Sequence, residues 1–164
     1  MIHVIVDDLA SVKADAILRP ADGSLGPTSP AGARLDDRAG PRFADQRRVS
    51  SLLKAGSAVV TGSGDLTAPF VLHVVIQDPE IQTGHEVVRR ALVSAWQRAT
   101  DWELGTIATP LVGADSGRLS LEEAASLLVE TFPAEAPGFP AELQIVVAGD
   151  AERALVEAIV RRNA

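Results

Sequence analysis

Cysteine and tyrosine are both absent from the 164 residues, methionine occurs once, and aromatic side chains amount to 4% of the chain. Without cysteine there can be no disulfide, no thiol nucleophile and no thiolate metal site. With so few rings, the core has to be built from Val, Leu, Ile and Ala. No apolar run approaches the ~18 residues of a membrane-spanning helix, and no basic-then-apolar leader opens the chain. Neither a membrane nor an export signal is therefore expected, and the expected location is cytoplasmic. Positive charge is also in deficit: 15 Lys and Arg stand against 22 Asp and Glu, a formal charge of -7. That weighs against non-specific binding to a nucleic-acid backbone, which needs clustered cations. His3, His73 and His85 are isolated and nothing has metal-ligand spacing, so no metal and no cofactor is expected. There is no Walker A lysine, no dinucleotide fingerprint, and no nucleophile elbow around Ser63 or Ser116.

What is present reads as one globular domain over residues 1–164, with 46% hydrophobic and 23% charged residues. The most informative stretch is Gly105–Ala125. Its β-branched run Thr106-Ile107-Ala108-Thr109 reads as a buried strand that Pro110 ends. The loop Gly113-Ala114-Asp115-Ser116-Gly117 follows, and Ser120 with Glu123 forms a capping box that starts a helix at Leu121. A small-residue loop between a strand and a helix N-terminus is where α/β proteins bind phosphate. Asp115 places a negative charge in the middle of that cradle.

Along the rest of the chain, residues 2–6 alternate as a strand, and Ala14–Leu18 reads as a second strand stopped by Arg19-Pro20. Helices are expected over Ala31–Ala39 and Arg42–Ala55, and strands over Ser57–Thr61 and Phe70–Ile76. The second of these strands, being continuously apolar, is expected at the centre of the sheet with both faces covered. Thr83 with Glu86 suggests a capping box for a helix carrying Val87, Val88, Ala91, Leu92, Ala95, Trp96 and Ala99. Pro133–Pro140 is a proline-rich connector, residues 143–148 form a last strand, and Asp150 is expected to cap the last helix. Alternation of strand and helix in the later half predicts a three-layer α/β/α domain with a mixed sheet of roughly six strands. His73 reads as a satisfied core histidine. Trp96 and Trp102 read as packing residues, and Arg42, Arg47, Arg48, Arg89, Arg90 and Arg98 as solvated helix faces.

The order of these features resembles a macro domain, the ADP-ribose-binding module, over essentially the whole chain. Val6-Asp7-Asp8-Leu9 is similar to the family's Gly-Asp-Ile turn, and residues 14–22, ADAILRPAD, to its V-D-A-I-V-N-A-A-N strand. Residues 35–40 resemble the end of the first helix. Residues 54–61 with 70–75 resemble the strand pair G-x-A-x-x-T and V-x-H-x-V, and residues 110–125 the second phosphate loop with its helix. The departures lie at the site. The two asparagines fall on Arg19 and Asp22, the glycine-rich first loop on Thr28-Ser29-Pro30-Ala31, and the aspartate used by hydrolytic members on Gly32. Glycines of the second loop fall on Asp115 and Arg118.

The resemblance implies binding of ADP-ribose or another adenine nucleotide, free or attached to an ADP-ribosylated protein. By that likeness Asp8 accepts from the adenine amino group beside the Leu9 backbone, while Asp22 lies near the distal ribose. Ser29, Ala31 and Gly32 take one side of the diphosphate, and Gly113, Ala114, Asp115, Ser116, Gly117 and Arg118 the other. Each has a plainer reading. Asp8 can cap its own turn, Asp22-Gly23 can be an ordinary turn, and Asp115 can pair with Arg118 to plug the cleft. Two further functional readings stand beside binding: a hydrolase of ADP-ribosyl groups with Asp22 as base, and a macro fold kept only as an interaction protein.

Overall fold

Period-two alternation of side chains decides how the sheet divides the core. In the computed structural model, which describes residues 1–133 and 138–163, the elements in chain order are β1 (Ile2–Val6), β2 (Ala16–Asp22), α1 (Pro30–Ala39), α2 (Pro41–Gln46), β3 (Ala58–Gly62) and β4 (Phe70–Gln77). They continue with α3 (His85–Asp101), β5 (Thr106–Thr109), α4 (Leu121–Thr131), β6 (Glu142–Val147) and α5 (Asp150–Arg162). Six strands form one mixed sheet in the order β1-β6-β5-β2-β4-β3, parallel throughout except for the antiparallel pair β3–β4. Leu18, Leu72, Val74, Ile76, Ile107, Leu143 and Ile145 face the large core under α3, α4 and α5. Ile17, Val71, Ala108 and Val146 point the other way, towards Ala39 of α1 and Phe43 of α2. The three-layer mixed architecture expected from the sequence is present.

Several local expectations are corrected. β2 does not stop at Arg19-Pro20 but runs on to Asp22. Its pairing to β5 covers only Ala16 and Ile17, so Pro20 lies beyond that ladder, paired to β4 alone. β4 is buried and flanked on both sides, yet it lies one place from the edge; β5 and β2 are the central strands. The helix expected to Ala55 ends at Gln46. Beyond it the chain spends its backbone groups on other elements: Leu53 N–H donates to Gly23 O at 2.8 Å and Ala55 N–H to Asp78 Oδ2 at 2.9 Å. Thr83 does not cap α3, because its hydroxyl donates to Gln77 Oε1, and Gly84 takes the cap position. Asp150 is the first residue inside α5 and Gly149 its N-cap, so its carboxylate favours the helix through the dipole and not through a capping bond. The capping box at Ser120 and Glu123 forms as expected. Trp96 is buried, whereas Trp102 is half exposed against Phe70. Of the proline-rich connector, residues 134–137 lie outside the described residues. No described helix is long and apolar enough to cross a membrane.

Candidate functional site

Parallel strands put their carboxyl ends at one edge, and there β1, β6, β5 and β2 open onto a cleft of about 540 Å³. A volume of that size suits a small organic ligand, for which pockets run roughly 300–1,000 Å³. The floor is apolar, built from Leu18, Pro20, Pro110, Val146, Val147 and Ala148. The β1 turn supplies Asp7, Asp8, Leu9 and Ala10. Helix α1 supplies Ala31, Gly32, Arg34, Leu35, Asp37 and Arg38, and Asp115 comes from the loop between β5 and α4.

Five of the residues expected at the site therefore line one cavity: Asp8, Leu9, Ala31, Gly32 and Asp115. Asp22 does not. It sits on a separate depression of about 250 Å³ with Gly23, Ser24, Gln77 and Asp78. Its Oδ1 there accepts from Ser24 N–H at 2.9 Å, Ser24 Oγ–H at 2.8 Å and Gly26 N–H at 2.8 Å. Burial pushes its carboxyl up, but these bonds and the charge of Arg19 outweigh that and hold it below the usual carboxylate range. Ser29 caps α1 at the rim. Gly113, Ala114, Ser116, Gly117 and Arg118 form the loop behind Asp115 without facing the cavity.

Asp8 keeps both of its readings. Its Oδ1 accepts from Ala10 N–H at 3.0 Å, the bond that contributes most to lowering its pKa; partial burial opposes the shift and Arg38 reinforces it. Its Oδ2 accepts from Arg38 Nη1 at 2.9 Å. Both partners are more than half exposed, so this ion pair is worth about 0–1 kcal/mol and opens easily to a ligand.

The two loops around the expected phosphate position are partly closed on themselves. In the β5–α4 loop the N–H groups of Arg118 and Leu119 both go to Gly113 O, Gly117 N–H goes to Ala114 O, and Ala114 N–H to Leu111 O. Gly113 is required here: its φ is +91°, and a Cβ would come within 2.9 Å of the Leu119 side chain. At α1, Pro30 has no N–H and Gly32 N–H donates to Ser29 Oγ at 3.0 Å. Ser29 Oγ–H in turn donates to Asp115 Oδ2 at 2.7 Å, bridging the loops at the mouth of the cleft. The alternative of an Asp115–Arg118 pair is not formed: Asp115 pairs with Ser29, and Arg118 reaches Gln82 Oε1 at 3.4 Å.

Beneath the cleft lies a second polar cluster. Arg19 is fully buried and chelated by Asp36, through Nε to Oδ1 at 2.8 Å and Nη2 to Oδ2 at 2.7 Å. Its Nη1 donates to Leu25 O at 3.0 Å and lies 3.2 Å from His73 Nδ1. Because a guanidinium only donates, Nδ1 accepts and His73 carries its proton on Nε2, facing Thr61 Oγ1 at 2.7 Å. Burial first, then the charges of Arg19 and Arg47, hold the imidazole well below its ordinary range, so it is neutral. The expected satisfied core histidine is what the fold contains. Arg47, expected on a solvated face, instead donates to Leu25 O at 2.9 Å and packs over the Phe43 ring.

Sequence reasoning reached the start of the α1 wall at Ala31 and Gly32 but missed its continuation. Arg34, Leu35 and Arg38 share one helix face with Ala31 by their spacing, a signal readable once Ser29-Pro30 is taken as the helix start. It also missed Val146–Ala148, which carried no signal beyond being the carboxyl end of a strand.

Comparison with known proteins agrees with this geometry. A family model described as Macro domain matches residues 20–128, more than half of the chain. An uncharacterized protein of Mycobacterium tuberculosis is 27% identical over 153 residues, which cover 93% of this chain and 43% of that protein. The chain thus spans less than half the length of the curated mycobacterial relatives it matches. A macro domain-containing protein of Caldanaerobacter subterraneus subsp. tengcongensis is 27% identical over 134 residues, covering 77% of this chain and 75% of that protein. Among solved structures, a macrodomain of Oceanobacillus iheyensis with ADPR superimposes with a TM-score of 0.80 at 20% identity, over 97% of this chain and 91% of that one. A Trypanosoma brucei macrodomain in complex with ADP gives 0.83 at 20% identity, over 97% and 68%.

Proposed function

This chain belongs to the macro domain family, and on that premise we propose that it binds ADP-ribose or a related adenine nucleotide in the cleft at the carboxyl ends of β1, β6, β5 and β2. The observation that carries this reading is the cavity itself: about 540 Å³, apolar at its floor, with Asp8, Leu9, Ala31, Gly32 and Asp115 brought to its rim from three separate elements. Apolar floor and few convergent polar groups are what a heteroaromatic ring with a polar tail requires. Asp8 takes the amino group of the adenine, exchanging its weak bond to Arg38 for the ligand, and Leu9, Leu35 and Val146 sandwich the ring. An ADP-ribosyl group still attached to a protein would be bound through the same cleft. The one-domain reading of residues 1–164 draws support from the single continuous sheet, which runs from Ile2 to Val147.

No hydrolytic role is assigned to Asp22. It faces another depression, and three hydrogen bonds to its Oδ1 make it a poorer base, not a better one. One observation favours a second reading, a fold kept for protein contacts: the Ser29–Asp115 bridge spans the mouth of the cleft. Calorimetric titration with ADP-ribose, ADP and AMP separates the two. Saturable heat with ADP-ribose, weakened in Asp8→Ala, is expected; no heat at millimolar ligand would remove the binding reading.

A further inference from the structure

Deepening that reading, on which it rests, we propose that Arg34 recognises the phosphate groups of the ligand, supplementing the backbone amides, several of which the two loops have turned inwards. Backbone donors are reduced on both sides, although in the β5–α4 loop the N–H groups of Gly113, Asp115 and Ser116 make no hydrogen bond among the described residues. Pro30 has none, Gly32 N–H is held by Ser29 Oγ, and four N–H groups of the β5–α4 loop close on that loop or on Leu111. Among the first-turn donors of α1, only Ala31 N–H is left to face the cleft.

The cationic side chains lead to the same place. Three arginines line the cavity, Arg19, Arg34 and Arg38. Arg19 is buried and chelated by Asp36, and Arg38 is paired with Asp8. Arg34 is exposed and makes no ion pair among the described residues. Side chains on an α-helix lean towards its N-terminus, so Arg34 covers the turn at Pro30–Ala31, over the end of α1 where the dipole also favours an anion. The other charges on the cavity wall, Asp7, Asp8, Asp37 and Asp115, are all negative. Of the two exposed cations on the α1 wall, Arg38 sits beside Asp8. Arg34 lies one turn nearer the helix N-terminus, where an entering anion meets a guanidinium paired to no carboxylate among the described residues. Its planar fork suits two phosphate oxygens at once, which a lysine cannot match.

The prediction is a selective one. Wild type, Arg34→Gln and Arg34→Lys are titrated with ADP-ribose, ADP and adenosine by calorimetry at two salt concentrations, with thermal melts as a folding control. Loss of a charge-assisted hydrogen bond predicts that Arg34→Gln weakens ADP-ribose and ADP by roughly 10- to 100-fold. Adenosine affinity is expected to be unchanged, Arg34→Lys to fall between the two, and the salt dependence of ADP binding to flatten in Arg34→Gln. If wild type binds ADP-ribose and Arg34→Gln binds it equally well, or loses adenosine to the same extent, the role of Arg34 is overturned while the binding reading stands. If wild type takes up adenosine but neither ADP-ribose nor ADP, the phosphate role falls and the cleft is reduced to a nucleoside site; if it takes up none of the three, both readings fall together.

Discussion

Helix α1 separates two polar regions that handle charge in opposite ways. On its inner side Asp36 meets Arg19 in a closed cluster where almost every donor has an acceptor: guanidinium, carboxylate, Leu25 carbonyl, imidazole and Thr61 hydroxyl. On its outer side Arg34, Arg38 and Asp37 face an open cleft, where the one ion pair formed is exposed and Arg34 has no acidic partner among the described residues. The same helix and the same residue types serve structure on one face and leave capacity for a ligand on the other. Dielectric explains the contrast. A charge taken out of water must be paired and hydrogen-bonded or it costs several kcal/mol, whereas a charge at the surface is stabilised by water until something better arrives.

The inner cluster gives the largest expected effect. Asp36→Ala would leave Arg19 buried without its counter-ion, and breaking such a pair from one side typically costs about 3–5 kcal/mol. Urea denaturation measures this directly. A loss under ~1 kcal/mol, the scale of an exposed pair, would erase the distinction drawn between the two faces of α1.

A smaller effect follows from His73. Its imidazole is held neutral when folded, while the unfolded chain takes up a proton near the ordinary value of about 6.5. Below that pH the unfolded state binds more protons, so stability rises with pH through the window and falls as pH drops below it. The slope reaches at most ~1.4 kcal/mol per pH unit. Stability curves between pH 7.5 and 5 should be flat at the top and decline below about 6.5. A level profile down to pH 5 would mean that His73 accepts its proton inside the cluster.

The smallest effect belongs to the outer side. Asp115 puts a carboxylate one hydrogen bond away from the N-terminus of α1, through Ser29. Asp115→Asn keeps an oxygen for Ser29 but removes the charge, and a helix-terminus interaction is worth about 0.3–1 kcal/mol. ADP-ribose affinity should therefore rise roughly two- to fivefold, while stability falls by no more than about 1 kcal/mol. An unaltered affinity would mean that Asp115 swings clear when ligand enters.

These two regions were not equally legible from the residues. The outer rim could be read in part, because Asp8-Leu9 follows a strand, Ser29-Pro30 opens a helix, and Ser120 with Glu123 marks the next one; such signals are local in the chain. Asp22 was expected near the distal ribose from the resemblance and not from a local signal; β2 continues to Asp22 and carries it to a different depression. The inner cluster was nearly invisible. Arg19 lies 17 residues from Asp36 and 54 from His73, and no spacing rule joins residues on β2, α1 and β4. Arg47 looked like a surface arginine because the helix expected to carry it was drawn nine residues too long, to Ala55 and not Gln46.

By itself the sequence determined the elements whose stabilising groups are close in the chain: the alternating strands, the capped helix at Leu121, the aliphatic core, and the order of features that marks a macro domain. Only the tertiary structure decided which charges are buried and which are free. That depends on which strand lies beside which, and on whether a loop spends its N–H groups on itself. Four amides of the Gly113–Leu119 loop are spent in this way, and among the described residues Arg34 is the cleft arginine without an acidic partner because Asp36 and Asp8 engage the other two that line it.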